Sequence, residues 1–130
     1  MRVLDTDTCV ELLRGNSTVI ARRAAVEDDV VTTWITAAEL YFGAARSEAP
    51  DENRSLVNEF LETLDVLGID RAAAQVFGET KVELQGAGEP LADADLLIGS
   101  IAIARDAILI TGNHKHFSRL RGIRLENWIR

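Results

Sequence analysis

Apolar positions along the chain switch repeatedly between short runs and helical spacing. Arg2 to Asp5 forms a short apolar strand, and the Thr-rich turn after it leads into a helical pattern through Val10, Leu12 and Leu13 that stops near Gly15-Asn16. Ser17 is placed to cap a second helix from Thr18 to about Glu27, and Asp28-Asp29 reads as a turn. Val30 to Trp34 is rich in β-branched and aromatic residues and reads as a second strand, followed by a helix from Ala37 to about Ser47. Pro50 opens another helix, with Leu56, Val57, Phe60, Leu61 and Leu64 at helical spacing. Val66 to Ile69 is a weak third strand, and Asp70 is placed to cap a long helix through Val76, Phe77, Val82 and Leu84 that Gly86-Ala87-Gly88-Glu89-Pro90 ends. Leu96 to Ile103 then forms a strongly apolar helix, and Ile108 to Thr111 reads as a fully buried strand. A short helix with Phe117 and Leu120 and a final segment, Ile123 to Trp128, complete the chain. Strands alternating with helices throughout predict one α/β domain, residues 1–130, with a central parallel sheet and no internal repeat.

Composition narrows the class. The chain has 130 residues, 47% hydrophobic and 27% charged, with 2 Pro and 9 Gly, which is globular and neither disordered nor low-complexity. No apolar run reaches the roughly 18 to 20 residues of a membrane helix, and Asp5 interrupts the N-terminus too early for a signal peptide, so a cytoplasmic protein without membrane contact is expected. Cys9 is the single cysteine, which excludes an intrachain disulfide and a Cys-based zinc site. The net charge of −7 opposes a sequence-independent grip on long nucleic acid. From Asn113 onward, however, Lys115, Arg119, Arg121, Arg124 and Arg130 face Glu126 alone, a net of +4, while the remainder carries −11. That tail is either a solvated charged end or an anion-binding edge beside an acidic cluster.

In a parallel sheet, ligands bind beyond the carboxyl ends of the strands. Asp5 and Asp7 follow the first strand, Glu39 lies in the first turn of the helix after the second, Asp93 and Asp95 open the apolar helix, and Asn113 follows the last buried strand. Each has a structural reading. Thr36-Ala37-Ala38-Glu39 has the pattern of a capping box, and Asp93 is well placed as an N-cap. Asp95 precedes an almost uninterrupted apolar helix, so it either faces inward at the sheet edge, the favoured reading, or protrudes alone from a buried element. Asp5 ends a buried strand, where an ionised carboxylate costs several kcal/mol unless paired or metal-bound. Carboxylates about 4 Å apart repel by about 4 kcal/mol at an effective dielectric near 20, so gathering three implies a cation. All-oxygen ligation suits Mg²⁺ or Mn²⁺, and phosphodiester hydrolysis is the chemistry that follows. His114 and His116 are spaced poorly for joint ligation and read as surface or phosphate-contacting residues.

Four segments taken together resemble one family. Val3-Leu4-Asp5-Thr6-Asp7, Ile35 to Ala44 with Glu39, Asp93-Ala94-Asp95-Leu96-Leu97-Ile98-Gly99, and Ile110 to Phe117 followed by Leu125-Glu126-Asn127-Trp128 are similar to PIN-domain proteins of the VapC type. The resemblance spans essentially the whole chain. It implies a three-layer α/β/α domain and a Mg²⁺- or Mn²⁺-dependent endoribonuclease that halts translation by cutting structured RNA such as tRNA or rRNA. It also implies a homodimer neutralised by a VapB-type antitoxin, with DNA contacted only through that antitoxin. By motif, Asp5, Glu39 and Asp95 are the catalytic and metal-binding residues, with Asp7 and Asp93 in support. The family often has a fourth carboxylate where Asn113 stands, so one ion per site is expected rather than two. Two other readings compete: a degenerate PIN scaffold with a binding role, and a haloacid-dehalogenase-like phosphatase suggested by Asp5-Thr6-Asp7.

Overall fold

The computed structural model describes residues 1–130. Five parallel strands form one sheet: β1 (Arg2–Leu4), β2 (Val30–Thr33), β3 (Asp65–Leu67), β4 (Ile108–Ile110) and β5 (Arg124–Glu126), in the order β3-β2-β1-β4-β5. Seven helices connect and cover them: α1 (Thr6–Leu13), α2 (Ser17–Ala25), α3 (Trp34–Ala45), α4 (Pro50–Leu61), α5 (Arg71–Gly86), α6 (Asp93–Ala104) and α7 (His114–Phe117). The expected α/β class and three-layer α/β/α arrangement are present. No helix is long and apolar enough to cross a membrane.

Side chains leave a strand on alternate faces, so each three- or four-residue strand feeds two cores. Val3, Val31 and Leu109 enter one cluster with Leu96, Ile98 and Ala102 of α6, Leu84 of α5 and Phe117 of α7. Leu4 and Ile110 enter the other with Cys9, Val19, Leu40, Ala44, Val57, Phe60 and Trp128 from the helices and chain end on the opposite side. Cys9 is fully buried, and burial pushes its thiol up to about 12, which leaves it an inert core residue. Antiparallel α5 and α6 are tied at both ends by Arg105–Asp70 (4.0 Å) and Lys81–Asp93 (3.0 Å). Gly99 lets α6 close onto the turn after α7, since a Cβ there would stand 2.3 Å from Leu120 Cδ1.

Several expected boundaries moved for identifiable reasons. Asn16, not Ser17, caps α2, accepting from Thr18 N (3.0 Å) and Val19 N (3.3 Å), and the helix ends at Ala25. Trp34 begins α3 instead of closing β2, because Thr33 turns extended and its hydroxyl accepts from Thr36 N at 3.1 Å. β3 is Asp65–Leu67, two residues earlier at its end than expected. The final segment, not recognised as a strand, contributes β5, which pairs with β4.

The candidate active site

Strand β1 sits at the centre of the sheet, with the chain proceeding to β2 and β3 on one side and to β4 and β5 on the other. The crevice at such a reversal, beyond the carboxyl ends of β1 and β4, is where open α/β sheets bind ligands. Asp5 and Thr111 are the first residues past those two strand ends, and they meet across the crevice. Thr111 Oγ1 donates to Asp5 Oδ2 at 2.7 Å, and the Asp5 backbone N donates to Ile110 O at 2.9 Å.

Asp5 is also the N-cap of α1, its Oδ1 accepting from Thr6 N at 2.8 Å. It is only 6% exposed. Burial raises its pKa to about 7, against the relief given by Thr111 and the Thr6 amide, and the charges of Asp7 and Asp95 push it further up. No cation is paired with it. The two hydrogen bonds hold the carboxylate's orientation without neutralising it.

The other carboxylates surround this one. Asp7, in the first turn of α1, accepts from Gly112 N at 2.9 Å and from the Thr8 hydroxyl at 3.2 Å. Gly112 suits that approach, because a Cβ would lie 3.1 Å from Asp7 Oδ2 and 3.2 Å from Ile129 Cδ1 and both would have to give by a few tenths of an ångström. Asp95, in the first turn of α6, is half-buried; burial raises its pKa, as do the charges of Glu39 and Asp7, with His116 acting in the opposite sense. Glu39 lies in the second turn of α3, not the first, and closes no capping box, since Thr33 makes the cap. Its Oε1 instead accepts from Thr6 Oγ1 at 2.6 Å, and Thr6 Oγ1 lies 3.1 Å from Thr36 Oγ1. Thus Asp5 feels the charges of Asp7 and Asp95, and Asp95 those of Glu39 and Asp7.

Asp93 stands apart. The cap of α6 is Ala92, which makes no side-chain bond, and the exposed Asp93 carboxylate pairs with Lys81. Asn113 directs its Nδ2 to His116 Nδ1 (2.8 Å), while its backbone N donates to Thr111 Oγ1 at 3.0 Å. His116 is exposed as expected; His114 is half-buried, with Nε2 sealed from solvent and without a partner. Thr6 and Thr111 were missed in the sequence. Their positions, one or two residues past a strand's end, are the only signal that could have singled them out.

No three His, Cys, Asp or Glu side chains stand close enough to ligate one point together. The donor chemistry fits a hard divalent cation all the same. Every donor is a carboxylate oxygen, and Mg²⁺ ordinarily takes one or two carboxylates and completes its octahedron with water and substrate phosphate. Beside Thr6 and Glu39 a groove of about 440 Å³ opens between α1, α3 and α4, lined by Val10, Leu13, Leu40 and Val57 with Arg14 and Arg46 at its margin.

Residues 2–123 match the PIN domain family. The tRNA(fMet)-specific endonuclease VapC of Salmonella typhimurium is 34% identical over 127 residues, covering 97% of this chain and 96% of the relative. Ribonuclease VapC2 of Rickettsia felis is 32% identical over 133 residues, with 97% and 96% covered. The structure superimposes on DNA-bound VapBC from Salmonella typhimurium with a TM-score of 0.92 at 33% identity, over 98% of this chain and 97% of that one. VapBC2 from Rickettsia felis, bound to a DNA fragment from its promoter, gives 0.91 at 30% identity over 98% of each chain. These likenesses leave no place for the haloacid-dehalogenase-like alternative. By sequence and by fold, the chain belongs to the VapC family of PIN-domain proteins.

Proposed function

We propose that the protein is a Mg²⁺- or Mn²⁺-dependent endoribonuclease, the toxin of a toxin–antitoxin pair, which cuts structured RNA in the cytoplasm and so inhibits translation. The observation that carries the reading is the carboxylate set at the β1/β4 crevice, where a buried Asp5 with its pKa near 7 has like charges and no cation beside it. Relatives named as ribonucleases, two of them as tRNA(fMet)-specific endonucleases, point to tRNA as the first substrate to try.

Asp5, Asp95 and Glu39 would hold the ion, one or two of them directly and the rest through its waters, and the ion would supply charge neutralisation at the phosphate and acidify water. The protein's own share is positional. Thr111 and the Thr6 amide fix the Asp5 carboxylate, Thr6 fixes Glu39 through its hydroxyl, and Gly112 fixes Asp7. Three carboxylates are thereby held at the crevice before substrate arrives, so little reorganisation is needed at the moment of reaction. Asn113 supports by tethering Thr111 and His116 rather than by adding charge.

A VapB-type antitoxin completes the reading, since neighbouring structures are VapBC assemblies, some of them DNA-bound. Its apolar segment would fill the α1/α3/α4 groove and send an Arg or Lys to Glu39 and its neighbours, neutralising the carboxylates in place of the metal. DNA would be held by the antitoxin, and the toxin itself would form a homodimer, which sedimentation tests. The decisive assay is purified chain on total RNA with 5′-end mapping. Cleavage is expected with Mg²⁺ or Mn²⁺ and not in EDTA, and cleavage that survives EDTA would refute the metal mechanism.

A further inference from the structure

An RNA strand approaching this protein meets a net charge of −7, concentrated by the carboxylates it has to reach. Some local positive surface must offset that repulsion at the edge of the crevice. Uncommitted cations are few: outside the basic tail only Arg22, on α2, and Arg71, at the end of α5 that meets the far end of α6 through Asp70 and Arg105, have no partner. Elsewhere in the chain Arg2, Arg14, Arg54, Lys81 and Arg105 are all in ion pairs. Arg23 donates to Thr63 and lies over Phe60, and Arg46 lies over Phe42. In the basic tail only Arg124 has an acidic partner, Asp106. Lys115 and Arg121 are exposed and unpaired.

The position of these groups relative to the crevice is set by hydrogen bonds. His116 meets Asn113 at 2.8 Å, and the Asn113 backbone N donates to the Thr111 hydroxyl that holds Asp5, so the start of α7 borders the carboxylates. Arg119 Nη1 donates to Pro90 O at 3.0 Å, which fastens the end of α7 to the loop that leads into Asp95. Lys115 and Arg119 are four residues apart and share one side of α7 and the turn after it. Beyond them Arg119, Arg121 and Ser118 line a shallow groove of about 360 Å³ whose other lining, from the end of α5 and the loop after it, includes Glu83 and Glu89, so phosphate meets these cations on their outer side and not within the groove.

We propose that Lys115, His116, Arg119 and Arg121 form a phosphate-binding ridge that carries a single RNA strand past the carboxylates. This rests on the nuclease reading and adds to it the surface that grips the substrate backbone. The ridge contacts phosphates and carries no base specificity, which is left to the rest of the interface.

Binding is measured with the full chain carrying Asp95→Asn in Mg²⁺, so that a labelled 20-nucleotide single-stranded RNA stays intact, between 50 and 200 mM salt. Three or four phosphate contacts give a slope of log K against log salt of about −2 to −3. Lys115→Ala and Arg121→Ala should each weaken binding about 3- to 10-fold and reduce the slope by about 0.7. Both side chains are exposed, so the melting temperature should not move. Arg22→Ala and Arg71→Ala, also exposed and unpaired but outside the ridge, should leave affinity and slope as they were. If the chain with Asp95 intact cuts total RNA while the doubly substituted ridge binds with unchanged affinity and slope, the ridge is refuted and the nuclease reading stands. If poly-glutamate displaces the labelled strand as well as unlabelled RNA does, the assignment to nucleic acid is overturned in favour of an acidic protein segment. If the chain neither binds nor cuts RNA, both readings fall together.

Discussion

Replacing Asp5 with Asn should make the metal-free protein more stable at alkaline pH. An Asp that ionises near 3.8 in the unfolded chain and near 7 in the folded one binds its proton more tightly when folded. Its contribution to stability is therefore complete below about pH 4 and is lost as pH rises through 7. This is opposite to the ordinary carboxylate, which stabilises as it ionises. At 1.36 kcal/mol per pH unit, the ionised Asp5 costs the native state about 4 kcal/mol at pH 8. The amide of the variant carries no charge to desolvate, yet it loses one charge-assisted acceptor, since only one of its side-chain atoms can accept from the Thr111 hydroxyl or the Thr6 amide. That loss is about 1 to 1.5 kcal/mol. The balance is a gain of about 3 kcal/mol at pH 8 and none at pH 4. For a domain of this size the gain corresponds to a melting temperature about 10 °C higher. Thermal melts of both proteins in EDTA at pH 4.5 and pH 8 measure it directly. Added Mg²⁺ should reverse the order, stabilising the native sequence by about 2.7 kcal/mol at a hundred times its dissociation constant and the Asn variant much less. A variant that melts at or below the native protein at pH 8, or whose gain is the same at both pH values, would refute the claim that Asp5 is an unneutralised buried charge.

The remaining expectations separate site from scaffold. Glu39→Gln keeps an acceptor for the Thr6 hydroxyl and leaves the Thr33 cap untouched, so its melting should stay within about 1 kcal/mol of the native protein while RNA cleavage is lost. Asp93→Asn breaks only an exposed pair with Lys81 and should change stability by less than about 1 kcal/mol and keep cleavage, whereas Asp95→Asn two residues on should abolish it; a common end-labelled substrate decides between them. Gly99→Ala should cost about 1 to 3 kcal/mol in urea denaturation, because its Cβ would collide with the packed Leu120 side chain; a neutral result would show that α7 can retreat from α6.

Much of this architecture was legible in the sequence, and the failures follow a pattern. The apolar strands β1 and β4 and the helix opened by Asp95 announce themselves because burial on both faces demands unbroken apolar runs. β5 does not, because Arg124 and Glu126 are charged, Glu126 pairing across the sheet with Arg2, and only Leu125 packs against a core. The caps were misread where two candidates stood side by side: Asn16 won over Ser17, and Thr33 pre-empted the Thr36/Glu39 box, choices set by backbone dihedrals that composition does not encode. Asp5 and Asp95 were legible as carboxylates out of place on apolar elements, while Glu39 and Asp7 stood out only through their place after a strand and the family resemblance. Their supports, Thr6 and Thr111, were not, because a threonine after a strand is ordinary until its partner, 33 or 106 residues away in the sequence, is known.

The bond between Thr111 and Asp5 joins the first strand's end to the fourth's, and this fixes when the protein becomes active during its own synthesis. Asp5 leaves the ribosome early, but β4, the neighbour that completes the sheet around β1, is made only after residue 107, and Thr111 only after that. Until then the nascent chain has at most β1 to β3 to pair, with neither Thr111 to orient Asp5 nor Gly112 to hold Asp7. At about 5 to 20 residues per second the earlier segments wait for seconds beside the translation machinery in an incomplete state. The carboxylate crevice is therefore completed only when the last strands have emerged, however early Asp5 itself is made.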